Sequence, residues 1–475
     1  MKSIQNFFNR NKDLLLSNEK MQISISLIIL GLIFLYQLIK SRLNFQYQNS
    51  PGNVINISLP ALILFIAVSI VLVVLTPKLV KLENKKIIAL AIFCSSFLVS
   101  ASYTLMRGID WTLSDESQDS FELAMEVQRQ GVPEFIATYN DRGNPGVLGT
   151  SQYANNVYGV LRSLGLEQMA KSYWVGRMET QLARPYMHPP TFFIVLAGWL
   201  HIFGNTQLSA TIFMWICTAI WGLTCFLLLD ALQSKASVFL TLLFITLPTT
   251  IIDTWLTTYD GLSGMFLMAG FGLFILATFK KNNRFYFISG IAFGVSIMFR
   301  LTSLFFVLLF PIVLLILVST RRQFVSSILL FLLGLFIFPF LLLIAGYNPI
   351  LTLVTAKFRQ DAYYAGKSMI SALERLPVFF YLGISLIILI AFGILRRSKE
   401  LIKSTKGIWI LLPLIAMILI AIITRLTSDF HRNMLGVSGC FIFSLSCLEN
   451  WPQSRKYQAL YIGIDLAFVL LITLL

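Results

Sequence analysis

Long apolar runs separated by short polar turns fill most of the 475-residue chain. Because a helix needs roughly 20 apolar residues to cross the lipid hydrocarbon core, this pattern predicts an all-α polytopic membrane protein with about 13 transmembrane helices. The predicted spans are approximately 22–39, 57–75, 87–106, 207–229, 236–252, 261–279, 285–299, 302–318, 324–346, 377–395, 408–423, 433–447 and 460–475.

Two polar stretches interrupt the apolar pattern, and they divide the chain into segments. The longer one is a large first loop that we expect to carry interfacial helices. The predicted segments are a cytoplasmic amphipathic N-terminus (1–21), three N-terminal spans (22–106), the long loop (107–206), a central transmembrane core (207–346), a second loop (347–376) and the C-terminal spans (377–475).

Basic residues are concentrated in the short turns, although the chain as a whole carries a net charge of +15. Short basic clusters between apolar runs are the positive-inside signature of a membrane protein, so nucleic-acid binding is excluded. The turns 78–86, 280–284 and 396–406 are therefore expected in the cytoplasm. Both polar loops then lie on the extracytoplasmic side.

The apolar segment that follows Pro190 and ends at Gly204 is too short to cross a bilayer as a helix. The basic turns also fall on one side only if this segment does not cross. We therefore predict an interfacial or re-entrant helix that begins and ends on the outer side. A proline in its first turn suits a helix start, because the missing N–H would be unpaired there anyway.

A cluster of acids opens the long loop: Asp110, Asp115, Glu116 and Asp119. Taken alone, the Asp115–Glu116 pair is consistent with a solvated helix N-terminus, where acids are favoured by the helix dipole. Carboxylates this close in sequence, with no base between them, raise one another's pKa or bind a cation, which is typical of acid/base sites.

Bases collect on the same predicted side as the acids. His188 precedes two prolines and is either an interfacial histidine or a functional one; Arg300, between two apolar runs, either snorkels to the interface or binds an anion. The weaker signals on this side are Arg184, Lys357, Arg359, Arg425 and Arg432. Together they predict a carboxylate site ringed by phosphate-binding bases.

The combination resembles the polyprenyl-phosphate-sugar-dependent GT-C glycosyltransferases, in the branch of the protein O-mannosyltransferases and the lipid A aminoarabinose transferase. The resemblance rests first on the Asp115–Glu116 pair and on His188-Pro-Pro, which leads into a helix that ends at Gly204. Three further matches are Asp260 at the start of a span, the Gly-rich span that ends at Arg300, and His431-Arg432-Asn433 before a late span. The resemblance covers roughly residues 100–320. The chain departs from the family in having two spans before the one that leads into the loop, and in an insertion over 139–158.

The resemblance implies a multi-pass hexosyl or pentosyl transferase of the bacterial plasma membrane that acts on the extracytoplasmic face.

 The donor would be a sugar on a polyprenyl phosphate or diphosphate, and the acceptor a hydroxyl of a lipid, glycan or protein. By the family motif, Asp115 would be the general base of an inverting transfer, and Glu116 would orient the acceptor or hold a cation. His188, Arg184, Asp260, Arg300, Lys357, Arg359 and Arg432 would bind substrate. No cofactor is implied, and whether a divalent cation takes part stays open because family members differ.

Two other classes of protein remain as alternatives. A transporter or lipid flippase would carry charges in the middle of its spans, whereas the candidate site acids Asp115, Glu116 and Asp260 flank spans. It would also be expected to show two helices broken by glycine or proline in matching halves. A Wzy-like polymerase or ligase of lipid-linked glycans would use arginine-rich outer loops, without the Asp-Glu pair and the His-Pro-Pro motif.

Overall fold

Helices form the whole regular structure of the residues that the computed structural model describes. These residues are 19–44, 58–107, 115–142, 189–255, 257–300, 303–317, 320–348, 382–403, 407–424, 429–449 and 451–474. The helices are α1 (Glu19–Asn44), α2 (Leu59–Leu79), α3 (Lys85–Arg107), α4 (Asp115–Gln130), α5 (Val132–Arg142), α6 (Thr191–Phe203), α7 (Gln207–Ala231), α8 (Ser237–Thr246), α9 (Pro248–Trp255), α10 (Tyr259–Lys280), α11 (Asn283–Phe299), α12 (Leu304–Leu317), α13 (Arg321–Ile344), α14 (Ile384–Lys403), α15 (Ile408–Thr424), α16 (Asp429–Leu448) and α17 (Arg455–Leu474).

Six helices of the described residues are long and apolar enough to cross a membrane: α2, α3, α7, α10, α13 and α17. Several of the others are apolar but shorter, including α6, α8, α11 and α12. Helices α2 and α13 expose many of their leucine, isoleucine and valine side chains, whereas α7 and α10 are largely buried. Exposed apolar faces of this length suit lipid, so the protein is a multi-pass membrane protein. The total of about 13 spans stays a prediction.

Contacts between helix ends show that the basic turns at Lys85, Lys235 and Lys280 share one end of the bundle, called here the basic end. Lys85 at the start of α3 pairs with Asp230 near the end of α7, at 2.7 Å. Lys235, Lys280 and Trp451 line one cavity between the C-terminal ends of α7, α10 and α16. At the other end of α3, the Trp215 indole donates to Thr104 Oγ1 at 3.1 Å. The N-termini of α7, α10 and α16 therefore lie at the opposite end.

Helix α6 begins and ends at that opposite end. The rings of Phe192 and Phe193 contact Tyr259, the first residue of α10, at centroid distances of 6.4 and 6.5 Å. At its other end, Trp199 Nε1 donates to the carbonyl of Ser209, in the first turn of α7, at 2.9 Å. The helix has 13 residues, which is about 20 Å and shorter than the hydrocarbon core of a bilayer.

The predicted span at about 236–252 is not one continuous helix, so this prediction was wrong in its detail. Helix α8 ends at Thr246 and α9 begins at Pro248, with Leu247 extended between them at φ −59° and ψ 139°. The cause is Pro248: it has no N–H to donate, and its ring disfavours helical backbone in the residue before it. Helix α9 continues to Trp255, three residues beyond the predicted end of the span.

Glycines bring α11 and α13 into close contact in the central core. A Cβ atom added at Gly290 of α11 would meet the backbone of Phe331 in α13, and one at Gly334 of α13 would meet the backbone of Phe287. Small residues at such crossings are how helices in lipid gain close packing and association energy. This packing fixes α11, and with it the residue at which α11 ends.

A buried acid, Asp465, holds the start of α14. It lies in α17 with no exposed surface, and its Oδ1 accepts from the backbone N of Ser385 at 3.1 Å. Ser385 Oγ in turn donates to the carbonyl of Tyr461 at 2.8 Å. A carboxylate that accepts from the first turn satisfies N–H groups that lipid could not. Helix α14 begins at Ile384, and the first residues of the span predicted from 377 lie outside the described residues.

Candidate active site

A buried ion pair joins the start of α10 to the end of α11. Arg300 Nη1 donates to Asp260 Oδ1, and the two residues expose only 7% and 3% of their surface. The pairing follows from the local fold: α10 and α11 are antiparallel and joined by a short turn, so the first turn of one meets the last turn of the other. Arg300 is therefore not a snorkelling arginine, because its guanidinium is held inside the bundle.

Three serine hydroxyls fix the corner on which Arg300 stands. Ser263 Oγ donates to the carbonyl of Ser296 at 3.0 Å, and Ser296 Oγ donates to the carbonyl of Ser263 at 2.7 Å. Ser303 Oγ lies 2.9 Å from Ser263 Oγ and 2.8 Å from Ser296 Oγ. Arg300 itself leaves the helix with extended backbone at φ −152° and ψ 120°. The serines thus join α10, α11 and the chain after Arg300.

The first turn of α6 packs aromatic rings against both neighbours of the ion pair. Phe192 contacts Tyr259 and Phe299, with ring centroids 6.4 and 6.5 Å apart. Tyr259 directly precedes Asp260, and Phe299 directly precedes Arg300. The segment that the His-Pro-Pro motif leads into is therefore part of the same site, although His188 itself lies outside the described residues.

The first turn of α4 also reaches this site. The helix begins at Asp115, and Ser117 Oγ accepts from the backbone N of Thr257 at 3.2 Å. Thr257 stands three residues before Asp260. At the far end of α4, Gln128 Nε2 donates to the carbonyl of Ala197 in α6 at 2.9 Å. One end of α4 is thus anchored on the α9–α10 turn and the other on α6, and its acidic start is held beside α10.

Helix α16 brings Arg432 to the same end of the bundle. The helix runs parallel to α10, because a Cβ atom added at Gly264 would meet the backbone of Gly436, and one at Gly439, further along, would meet Met268. Arg432 stands one turn before Gly436, as Asp260 stands one turn before Gly264. Both positions therefore lie at the same depth of the bundle.

The described residues thus bring together five of the residues that the sequence singled out. Asp260 and Arg300 form a direct pair, and the backbone positions of Asp115, Glu116 and Arg432 lie at the same end. Arg184, His188, Lys357 and Arg359 lie outside the described residues. Among the described side chains, no group of three histidine, cysteine or acidic residues forms a metal site. The need for a divalent cation is therefore untested.

Sequence reasoning missed the serines that support Arg300. Their signal was present in the spacing, because Ser263 follows Asp260 by three residues and Ser296 precedes Arg300 by four. Residues three and four apart share a helix face, so a small polar residue at each position faces the same neighbouring helix as the charge.

One comparison with known proteins returned a match. Residues 187–345 match the family model described as dolichyl-phosphate-mannose-protein mannosyltransferase. The matched stretch runs from the residue before His188 to the end of α13 and contains both Asp260 and Arg300. No curated protein and no solved structure matches the chain. The match and the apolar helices support a membrane glycosyltransferase of the GT-C type, similar to that family over about a third of the chain.

Proposed function

We propose that the protein transfers a sugar from a polyprenyl-phosphate (or diphosphate) donor to a hydroxyl-bearing acceptor. The observation that carries this proposal is the meeting of four elements at one end of the bundle: the acidic start of α4, the first turn of α6, and the buried Asp260–Arg300 pair at the junction of α10 and α11. Three of these elements, α6, α10 and α11, come from the family-matched stretch, and α4 joins them from outside it.

The acids and the bases take different roles in this proposal. Asp115 is the general base that accepts the proton of the acceptor hydroxyl, and Glu116 orients the acceptor or holds a cation. The hydroxyl oxygen then attacks the anomeric carbon from the face opposite the leaving phosphate, which inverts the configuration and requires no enzyme nucleophile. The departing lipid phosphate keeps the electron pair of the broken bond.

The leaving phosphate requires positive charge as its bond to the sugar breaks. Arg300, oriented by Asp260, and Arg432 at the same depth are the bases that we assign to it, together with Arg184, Lys357 and Arg359 from the two loops. His188 and Asp260 complete the substrate-binding set. A guanidinium suits this role, since its planar array of donors matches phosphate oxygens.

A transporter remains the alternative from another class. The described residues do include one interrupted helix, because α8 and α9 are separated by a break at Leu247 and Pro248. The ion pair, however, stands at helix ends and not in the middle of a span, where a substrate pathway would place its charges. The transferase therefore accounts for more of the described site.

Analysis of cell-envelope glycans tests the proposed function in the cell. Deleting the gene should remove one sugar from a glycan, lipid or protein of the envelope, measured by mass spectrometry. Restoring the wild-type gene should restore that sugar, and restoring an Asp115→Asn variant at equal protein level should not. An envelope that is identical with and without the gene would contradict a glycosyltransferase.

The side of the membrane is tested by labelling. Because the basic turns at Lys85, Lys235 and Lys280 share one end of the bundle and the site lies at the other, we expect a cysteine at Asn205 to react with a membrane-impermeant thiol reagent added outside. A cysteine at Ser151 should react likewise, and one at Lys403 should not. Labelling at Asn205 only after the cytoplasmic side is opened would place the site on the inner face.

A further inference from the structure

Two buried threonine hydroxyls stand beside the Asp260–Arg300 pair without a hydrogen-bond partner. Thr257 exposes none of its surface and Thr191 exposes 3%. The Oγ1 atoms of both lack a partner within the part of the chain that the structure describes. Leaving a buried hydroxyl unpaired costs free energy, so such atoms in a folded protein call for an explanation.

Other buried threonines of this bundle bond to their own helix. Thr254 Oγ1 donates to the carbonyl of Thr250 at 2.5 Å, and Thr218 Oγ1 donates to that of Met214 at 2.8 Å. Thr191 is the first residue of α6, and Thr257 precedes α10. Neither threonine has a carbonyl one turn earlier in its own helix, so neither hydroxyl can donate to its own helix as the other threonines do. Three further buried hydroxyls of the described residues also lack a partner: those of Ser100 in α3, Ser234 after α7 and Thr250 in α9.

Both threonines stand on elements that form the candidate active site. The backbone N of Thr257 donates to Ser117 Oγ, which ties this residue to the helix that begins at Asp115. Thr191 directly precedes Phe192, whose ring contacts Tyr259 and Phe299. The two threonines therefore stand on different elements, α6 and the α9–α10 turn, that meet at Tyr259.

We propose that Thr191 and Thr257 bind hydroxyl groups of the donor sugar. This subsite rests on the proposed function. A threonine hydroxyl can both donate and accept, as a sugar hydroxyl can, so each pair satisfies both partners. The rings of Phe192, Phe193 and Tyr259 add an apolar wall suited to the C–H face of a sugar, and a mostly apolar wall with few polar groups is the usual form of a small-molecule site.

Binding of two lipids to purified full-length protein in lipid nanodiscs tests the subsite. The probes are polyprenyl-phosphate mannose and polyprenyl phosphate without a sugar. We expect Thr257→Val and Thr191→Val each to weaken binding of the sugar-bearing lipid about three- to tenfold, the size of one neutral hydrogen bond. Both variants should bind the lipid without a sugar as the wild type does. Arg300→Lys should weaken binding of both lipids.

Thr254→Val is the matched control, because Thr254 is equally buried but its hydroxyl is bonded within the protein. It should leave the preference for the sugar-bearing lipid unchanged. Thermal unfolding of the valine variants at 191 and 257 should occur at the wild-type temperature or above, since valine removes a hydroxyl that has no protein partner. Wild-type protein that binds neither lipid would contradict the proposed function. Wild-type protein that binds both, with an unchanged sugar preference in both valine variants, would contradict the subsite alone.

Discussion

Replacing Asp115 with asparagine is expected to lower the rate of sugar transfer about 10²-fold or more, the usual loss when a general base is removed. Asparagine keeps the size of the side chain but cannot take the proton of the acceptor hydroxyl. Because α4 is anchored at Ser117 and Gln128, its position should survive the change. The protein should therefore fold, insert and bind the lipid-linked donor as the wild type does.

Glu116→Gln is the control at the neighbouring position and distinguishes the role of Glu116 from that of Asp115. Its effect should be milder, unless Glu116 holds a cation, in which case added divalent cation should partly restore the rate. The measurements are single-turnover transfer rates and donor affinities for each variant. Wild-type transfer rates in Asp115→Asn would assign the base to another acid, with Asp110 and Asp260 the next candidates.

Breaking the Asp260–Arg300 pair is expected to have the largest effect on stability. Both residues are more than nine-tenths buried, so removing one leaves the other as an uncompensated buried charge. Such losses are about 3–5 kcal/mol. We expect Asp260→Ala and Arg300→Ala each to lower the free energy of unfolding by this amount, measured in detergent with circular dichroism.

The double variant Asp260→Leu/Arg300→Met tests whether the loss comes from the unpaired charge. Two apolar side chains of similar volume leave no buried charge, so the double variant should be more stable than either single one. It should still lose donor binding, since the guanidinium is gone. A double variant whose stability loss equals the sum of the single losses would mean that the two residues act independently, contrary to the pairing.

The sequence identified Asp260 and Arg300 separately but not as a pair. Each was noticed as a charge at the edge of an apolar run, and their pairing depends on how α10 and α11 fold back on each other. The pairing could be predicted from the sequence, because two consecutive helices joined by a short turn are antiparallel neighbours. The sequence could not exclude a snorkelling Arg300, because hydropathy indicates the depth of a residue in the membrane but not its neighbours.

The break at Leu247 and the contact between Asp465 and α14 show two different limits of structure prediction from the sequence. Pro248 was a readable signal, since proline in a helical pattern ends or kinks the helix before it. Asp465, by contrast, accepts from Ser385, which is 80 positions earlier in the chain. No periodicity within either helix predicts that contact, because it depends on the packing of α14 against α17. Local sequence patterns therefore predict the helices, whereas contacts between distant parts of the chain are seen only in the structure.

The most direct measurement is transfer of labelled sugar by the purified protein. Full-length protein in liposomes is supplied with polyprenyl-phosphate mannose labelled in the sugar and with an envelope extract from the gene-deleted strain as acceptor. We predict that label moves from the lipid to an acceptor, that polyprenyl phosphate is released in equal amount, and that Asp115→Asn slows both about 10²-fold or more. Label that stays on the lipid with wild-type protein, across polyprenyl-phosphate donors carrying the common hexoses and pentoses, would contradict the proposed function.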